Sequence, residues 1–365
     1  MPLMLFSAVL HLVIAWRLIP DLPTTAALVF GAVLAASAVL MPMSLLRRRR
    51  TGPLLAWAGG LAMGWFSTLF VLTLLRDLVL MVAWALPWGT GRLLEPSAVA
   101  VPLLATLVTA IGLWNARRTA RVVVVDVPIA QLPPALHGFS IVQISDIHVG
   151  PTIRRAYLQA IVDRVNRLGA DVVAVTGDLV DGSVAELAAH VAPLAGLRSR
   201  HGSFFVTGNH EYYSGAHAWV VELRRLGLKV LINEHVVLQQ DGASLVVAGV
   251  TDPSGHHFDP AHRSDPFAAI AGAPLDAALH VLLAHQPCSA AEAARAGFQL
   301  QLSGHTHGGQ FLPWTWFVRL QQPFTAGLHR MQGLWVYVSR GTGYWGPPKR
   351  FGAPSEITHL RLMPA

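Results

Sequence analysis

The first 116 residues hold so few charges that they cannot fold as an ordinary water-soluble domain. Their apolar blocks are long enough to cross a bilayer, which takes about 20 residues per helix. The blocks run from about Leu3 to Leu18, from Ala26 to Leu46, from Gly60 to Ala83 and from Ala98 to Trp114. The start, Met1-Pro2-Leu3-Met4-Leu5, lacks the basic residues that open a cleaved signal peptide, and further spans follow it. An all-α transmembrane domain of about four helices is therefore expected over residues 1–116. The whole chain agrees, being 53% hydrophobic and only 13% charged.

Arg47-Arg48-Arg49-Arg50 follows the second span, and Arg117, Arg118 and Arg121 follow the fourth. Basic flanks face the cytoplasm, and four spans satisfy both placements, so the rest of the chain is expected on the cytoplasmic side of a bacterial inner membrane. Arg76-Asp77 interrupts the stretch Leu54 to Trp88, which is too long for one straight span and short for two. Adjacent residues stand about 100° apart on a helix. Each charge then needs its own partner in the bundle, or the helix breaks there, and a fifth span would reverse the sidedness. The net charge of +7 arises from arginines beside apolar runs and not from a long basic groove, so no nucleic-acid partner is expected. The single cysteine, Cys288, excludes an intrachain disulfide and reads as a small buried hydrophobe.

From Arg121 the pattern changes. Residues 117–139 read as a linker with a first strand, Val122-Val123-Val124-Val125, and 140–365 as a second domain. There, short apolar runs alternate with longer helical patterns, which argues for a sheet covered by helices. Polar residues follow five of the runs. Ile141 to Ile144 leads to Asp146 and His148, Val172 to Val175 leads to Asp178 and Asp181, and Phe204 to Val206 leads to Asn209 and His210. Val281 to Leu283 leads to His285, and Phe298 to Leu302 leads to His305 and His307. Any one of these is as readily a capping or turn residue. Five together point to a ligand site, because ligands collect beyond the carboxyl ends of strands in open α/β sheets. Extended geometry would turn Asp146 with His148, and His305 with His307, to one side each.

Asp146, His148, Asp178, Asn209, His285, His305 and His307 exceed what one four-coordinate site uses, so two divalent ions are expected. Mixed nitrogen and oxygen donors favour manganese, iron or zinc over magnesium or calcium. Two neighbouring ions activate water and clamp a phosphoryl group.

The blocks Asp146-x-His148, Gly177-Asp178-x-x-Asp181, Gly208-Asn209-His210-Glu211, His285 and Gly304-His305-x-His307 resemble, in that order, the calcineurin-like metallophosphoesterases. The resemblance spans roughly residues 121–365 and implies an α/β fold, a four-layer α-β-β-α sandwich with a dinuclear centre. It implies that Asp146, His148 and His307 hold one ion, that Asn209, His285 and His305 hold the other, and that Asp178 bridges them. It leaves His210 free of metal to protonate the leaving oxygen, with Asp181 orienting it. Gly308-Gly309-Gln310, Tyr337 to Gly341, Arg350-Phe351 and Glu356-Ile357 look like the bacterial membrane-anchored branch, some of whose members are UDP-2,3-diacylglucosamine pyrophosphatases of lipid A synthesis.

The apolar spans and the resemblance together imply a membrane-anchored phosphohydrolase with manganese the favoured metal, acting on a lipid-linked phosphodiester or pyrophosphate, with membrane lipids as its surroundings. A hydrolase of soluble substrates and a non-catalytic metal-dependent scaffold are the alternatives. Arg340 is expected either to bind a second phosphate or to form a structural salt bridge. Trp314, Trp316 and Phe317 are expected in the bilayer interface or in the core. Gly308 and Gly309 are expected to admit substrate phosphate, and His256-His257 reads as a surface loop. Gln286-Pro287 after His285 departs mildly from the family pattern. Gly309 stands where a β-lactamase-like hydrolase has an aspartate.

Overall fold

The computed structural model describes residues 2–46, 52–86 and 89–365, so Arg47 to Arg50 and Trp88 lie outside the described residues. The chain divides into two units: Met1–Arg117 with Gly346–Phe351, and Arg118–Trp345 with Gly352–Ala365.

The helical unit holds α1 (Pro2–Leu18), α2 (Thr24–Leu46), α3 (Pro53–Ala85) and α4 (Leu94–Arg117). All four are long and apolar enough to cross a membrane. Ile14, Leu18, Phe30, Leu34, Phe66, Leu69, Val101 and Ala105 form their shared core, while Leu5, Leu28, Val79 and Leu103 stay exposed, as lipid-facing residues would. At 33 residues α3 is one unbroken helix, about 50 Å long. Arg76-Asp77 does not break it, because each charge is partnered. The buried Arg76 guanidinium donates to Ser97 Oγ at 2.8 Å, to the Arg17 carbonyl at 2.9 Å, to the Leu94 carbonyl at 3.2 Å and to the Asp21 carboxylate. The Asp77 carboxylate accepts two bonds from Arg17, at 2.9 and 2.8 Å.

One segment from late in the chain belongs to this unit. Lys349 inserts its ammonium among the helices, donating to the Gly64 carbonyl at 2.8 Å, to Thr109 Oγ1 at 3.2 Å and to Thr68 Oγ1. Gly60, Gly64 and Gly112 line its slot with Pro347 and Pro348. A second domain continuous over 140–365 therefore has an exception at Gly346–Phe351. Its sequence signal was one lysine in a proline-rich loop.

The α/β unit holds, in order, β1 (Arg121–Ile129), β2 (Ser140–Ile144), α5 (Arg155–Asn166), β3 (Val172–Val175), α6 (Val184–Val191), β4 (Ser203–Phe205), α7 (Asn209–Ser214), α8 (Ala216–Arg225) and β5 (Lys229–Val230). It continues with β6 (Glu234–Gln240), β7 (Ala243–Gly249), α9 (Pro266–Ile270), β8 (Leu279–Leu283), α10 (Ala290–Arg295), β9 (Leu300–Ser303), α11 (Trp314–Phe317), β10 (Gly327–Met331), β11 (Leu334–Val338) and β12 (Glu356–Pro364). Two six-stranded sheets result, ordered β1-β12-β2-β3-β4-β5 and β10-β11-β9-β8-β7-β6. Ile141, Val172 and Phe204 of one sheet share a buried core with Leu245, Val281, Leu300 and Tyr337 of the other. Ala269 of α9, Ala290 and Ala293 of α10 and Leu282 of β8 form the core on the second sheet's outer face. Leu158, Ile161, Val162 and Val165 are the buried residues of amphipathic α5. The layering is the α-β-β-α sandwich implied by the resemblance. β5, β6 and β10 lie at sheet edges. With mostly half-exposed sequences such as Glu234-His235-Val236-Val237, β6 and β10 carry no continuous apolar run that would betray a strand.

Candidate metal centre

β2, β3 and β4 pair in parallel in one sheet, as do β8 and β9 in the other. Their carboxyl ends deliver the residues that follow them to one region. The extended geometry expected for the two paired motifs does not occur. Asp146, His148, Asp178, His305 and His307 all have left-handed backbones, with φ of 53°, 57°, 51°, 69° and 51°. Strain of this kind costs on the order of 1–3 kcal/mol per residue and persists where surroundings over-determine it. Here the turns, not the strands, aim the side chains.

His148 Nε2 stands 3.0 Å from His307 Nε2, and His307 Nε2 stands 3.6 Å from Asp146 Oδ1. On the other side His285 Nε2 lies 3.3 Å from His305 Nδ1 and 3.3 Å from Asp178 Oδ2. Asp178 Oδ2 is also 3.8 Å from His148 Nε2 and 4.0 Å from His210 Nε2, so it lies between the groups. Asp146, His148 and His307 form one cluster able to hold a metal, and Asp178, His285 and His305 form another. Asp181 Oδ1 accepts from His210 Nδ1 at 2.5 Å and from His148 Nδ1 at 3.2 Å. The sequence-predicted residues are thus brought together, with Arg340 at the margin. Its Nη1 donates to buried Glu356 at 2.8 Å, and its stem packs on Gly308.

The donor set fits cations. Asp146 Oδ2 and Asn209 Oδ1 are buried and accept no hydrogen bond, two of seven such side-chain atoms among the described residues. Buried oxygens without partners are costly, and facing imidazole nitrogens leave lone pairs that a metal would satisfy. Burial pushes the Asp146 carboxyl up, while for Asp178 burial is outweighed by His285, His210 and His148, which hold it well below the usual carboxylate range. Burial lowers His285, but Asp178 and Asp146 lift it well above an ordinary histidine. His305 falls to about 3, from burial and the neighbouring His285. Burial also acts upward on Asp181, yet His148 and His210 keep it depressed and ionised. Asp178 and Asp181 are thus buried anions drawing on the nearest positive charge.

Sequence reasoning passed over Glu211, Gln310 and Trp345. The Glu211 carboxylate accepts from the backbone amides of Gly208 at 2.7 Å, Leu179 at 2.8 Å, Asp178 at 2.9 Å and Val180 at 3.3 Å. It thereby ties the Asp178 turn to the Asn209-His210 turn. Gln310 exchanges two 2.8 Å bonds with the Trp345 backbone, and the Trp345 ring meets His210 edge-on at 5.8 Å. The signal for Glu211 was its place in Gly208-Asn209-His210-Glu211; Trp345 carried none. Two glycines are required by close approach. A Cβ on Gly304 would lie 2.2 Å from Asp146 Oδ2, and one on Gly309 would lie 2.3 Å from the Thr315 backbone. Gly309, at φ 80°, therefore makes room for the chain itself. Cys288 is exposed and not buried as expected. Glutamine and proline after His285 leave its geometry intact: Nδ1 donates to the Thr176 carbonyl at 2.8 Å, leaving Nε2 toward Asp178.

The family model described as Calcineurin-like phosphoesterase matches residues 139–309. A "Transmembrane protein with metallophosphoesterase domain" of Bos taurus is 40% identical over 314 residues, 81% of this chain and 70% of its own length. The chain belongs to the calcineurin-like phosphoesterase family. It is a metal-dependent phosphoester hydrolase with helices of transmembrane type at its N-terminus. An "Uncharacterized metallophosphoesterase" of Helicobacter pylori is 38% identical over 234 residues, 61% of this chain and 60% of that one. This chain thus spans 60% to 70% of these relatives. A 5'-nucleotidase precursor of Thermus thermophilus superimposes with a TM-score of 0.41 at 17% identity, covering 62% of this chain and 54% of the nucleotidase.

Proposed function

We propose that this family member is a membrane-anchored phosphohydrolase that cleaves a phosphodiester or pyrophosphate of an amphiphilic substrate, UDP-2,3-diacylglucosamine being one candidate, on the cytoplasmic side of a bacterial inner membrane. Asp146, His148 and His307 would hold one ion, Asn209, His285 and His305 the other, and Asp178 would serve both. Manganese, iron and zinc all suit these mixed nitrogen and oxygen donors, and the family resemblance puts manganese first. When bound, the two ions supply a nucleophile from water and charge to stabilise the phosphoryl group. His210 holds its Nδ1 proton on Asp181 and presents Nε2 to the leaving oxygen as the general acid. Asp181, ionised, fixes that orientation. Arg340, beside the His307 turn, supplies positive charge for a second phosphate, steadied by Glu356.

The observation that supports a lipid substrate is an exposed aromatic ridge on the metal-ligand loop. Trp314, Trp316, Phe317 and Leu320 are 45%, 70%, 51% and 81% exposed, within 13 residues of His307 in the chain. Indoles favour the headgroup zone of a bilayer. Turnover by the manganese-loaded full chain against UDP-diacylglucosamine, phospholipids, cyclic nucleotides and phosphopeptides tests the reading. Activity confined to phosphopeptides would favour the soluble-substrate alternative and overturn the lipid one.

A further inference from the structure

A separate group of metal-competent side chains lies outside the centre around Asp178. His217 is the second residue of α8, while Asp259 precedes and His262 ends a short turn over Pro260–His262. One ligand atom from each lies within 4.8 Å of the other two. His217 Nε2 is 2.9 Å from Asp259 Oδ2, and the rings of His217 and His262 are 5.0 Å apart. The outer atoms are already held. Asp259 Oδ1 accepts from the Ala261 amide at 2.9 Å, and His262 Nδ1 bonds the Tyr212 hydroxyl at 2.8 Å. That leaves His262 Nε2, together with the facing pair His217 Nε2 and Asp259 Oδ2, turned toward one point, the arrangement in which a partner on the far atom fixes a metal-binding side chain.

We propose that His217, Asp259 and His262 form a separate mononuclear site for a zinc-class divalent ion. Two imidazoles and one carboxylate with a fourth position open to solvent are a zinc donor set and a poor one for magnesium or calcium. His217 and Asp259 also line a cleft of about 350 Å³ beside Tyr212 and Phe258, which gives the ion a path in. The ion clips the 254–263 segment to the start of α8. Through the His262–Tyr212 bond it also steadies α7, the helix that carries Asn209 and His210. The exposed pair His256 and His257 takes no part.

Cobalt(II) is the probe, since its visible absorption is strong when tetrahedral. Full-length chain is stripped and titrated as wild type, His217→Ala, Asp259→Asn and His256→Ala, with equivalents bound and melting temperature both recorded. His217 has a side chain 74% exposed, so its removal leaves the fold intact. Wild type and His256→Ala should bind one equivalent more than His217→Ala and Asp259→Asn, and zinc should raise the melting temperature of the first two further. Equal equivalents in all four, retention of the extra ion by either ligand variant, or its loss in His256→Ala would overturn the site. The reading is the difference between variants, so it stands apart from whether the centre near Asp178 holds two ions.

Discussion

The helical unit and the metal centre bury polar groups in opposite ways. In the helical unit Arg76 is buried, yet the guanidinium meets a hydroxyl, two carbonyls and a carboxylate. Lys349 likewise finds a carbonyl and two threonine hydroxyls. In the α/β unit Asp146 Oδ2 and Asn209 Oδ1 are buried and accept no hydrogen bond, and their neighbours adopt strained backbones. A buried charge supplied with internal partners holds a structure together. Buried acceptors held open at strain are prepared for something brought from outside. Arg76-Asp77 and Asp146-x-His148 therefore serve different ends, although both place charge where sequence rules disfavour it.

Replacing His210 by alanine should break the catalytic half of the contrast most severely. Turnover should fall roughly 10²- to 10⁴-fold while metal content stays unchanged; assays paired with metal analysis check this, and lost metal would reassign His210 as a ligand. Asp21→Asn tests the helical half, since it removes the carboxylate facing the buried Arg76. It should cost about 3 kcal/mol of stability by denaturant titration in detergent, with turnover per folded molecule preserved. A loss of turnover without a loss of stability would mean that Arg76 serves function.

Smaller effects sharpen the comparison inside the catalytic unit. Glu211→Gln keeps the shape but cannot accept four amide bonds, so metal affinity should weaken about 10- to 100-fold by competition with a chelator. Gln310→Ala frees the Trp345 backbone, and roughly fivefold lower turnover is expected from the loss of about 1 kcal/mol of positioning. An unchanged rate would remove Trp345 from the site.

Much of this was legible in the sequence because it follows from patterns of polarity. Apolar length marks the four helices, and Asp146, Asp178, Asn209, His285 and His305 each follow an apolar strand. The geometry joining them was not legible, because it depends on turns. Asp146 and His148 converge through left-handed backbones, which no alternation pattern announces. Gly309 makes room for the Thr315 backbone, a contact between residues whose packing only the fold decides. Lys349 was missed since its partners, Gly64, Thr68 and Thr109, lie more than 200 positions away. Glu211 and Gln310 act on the backbone amides and carbonyls of other segments, partners that side-chain composition does not reveal.

We propose that the buried, unpartnered acceptors Asp146 Oδ2 and Asn209 Oδ1 belong to the seat of two ions. Metal analysis of the full-length His217→Ala chain, reconstituted with manganese and freed of excess, tests it without interference from the outlying histidines. Two ions per chain are predicted, falling below one when Asp178→Ala is added. One ion or none in the parent, or two retained without Asp178, would contradict the account.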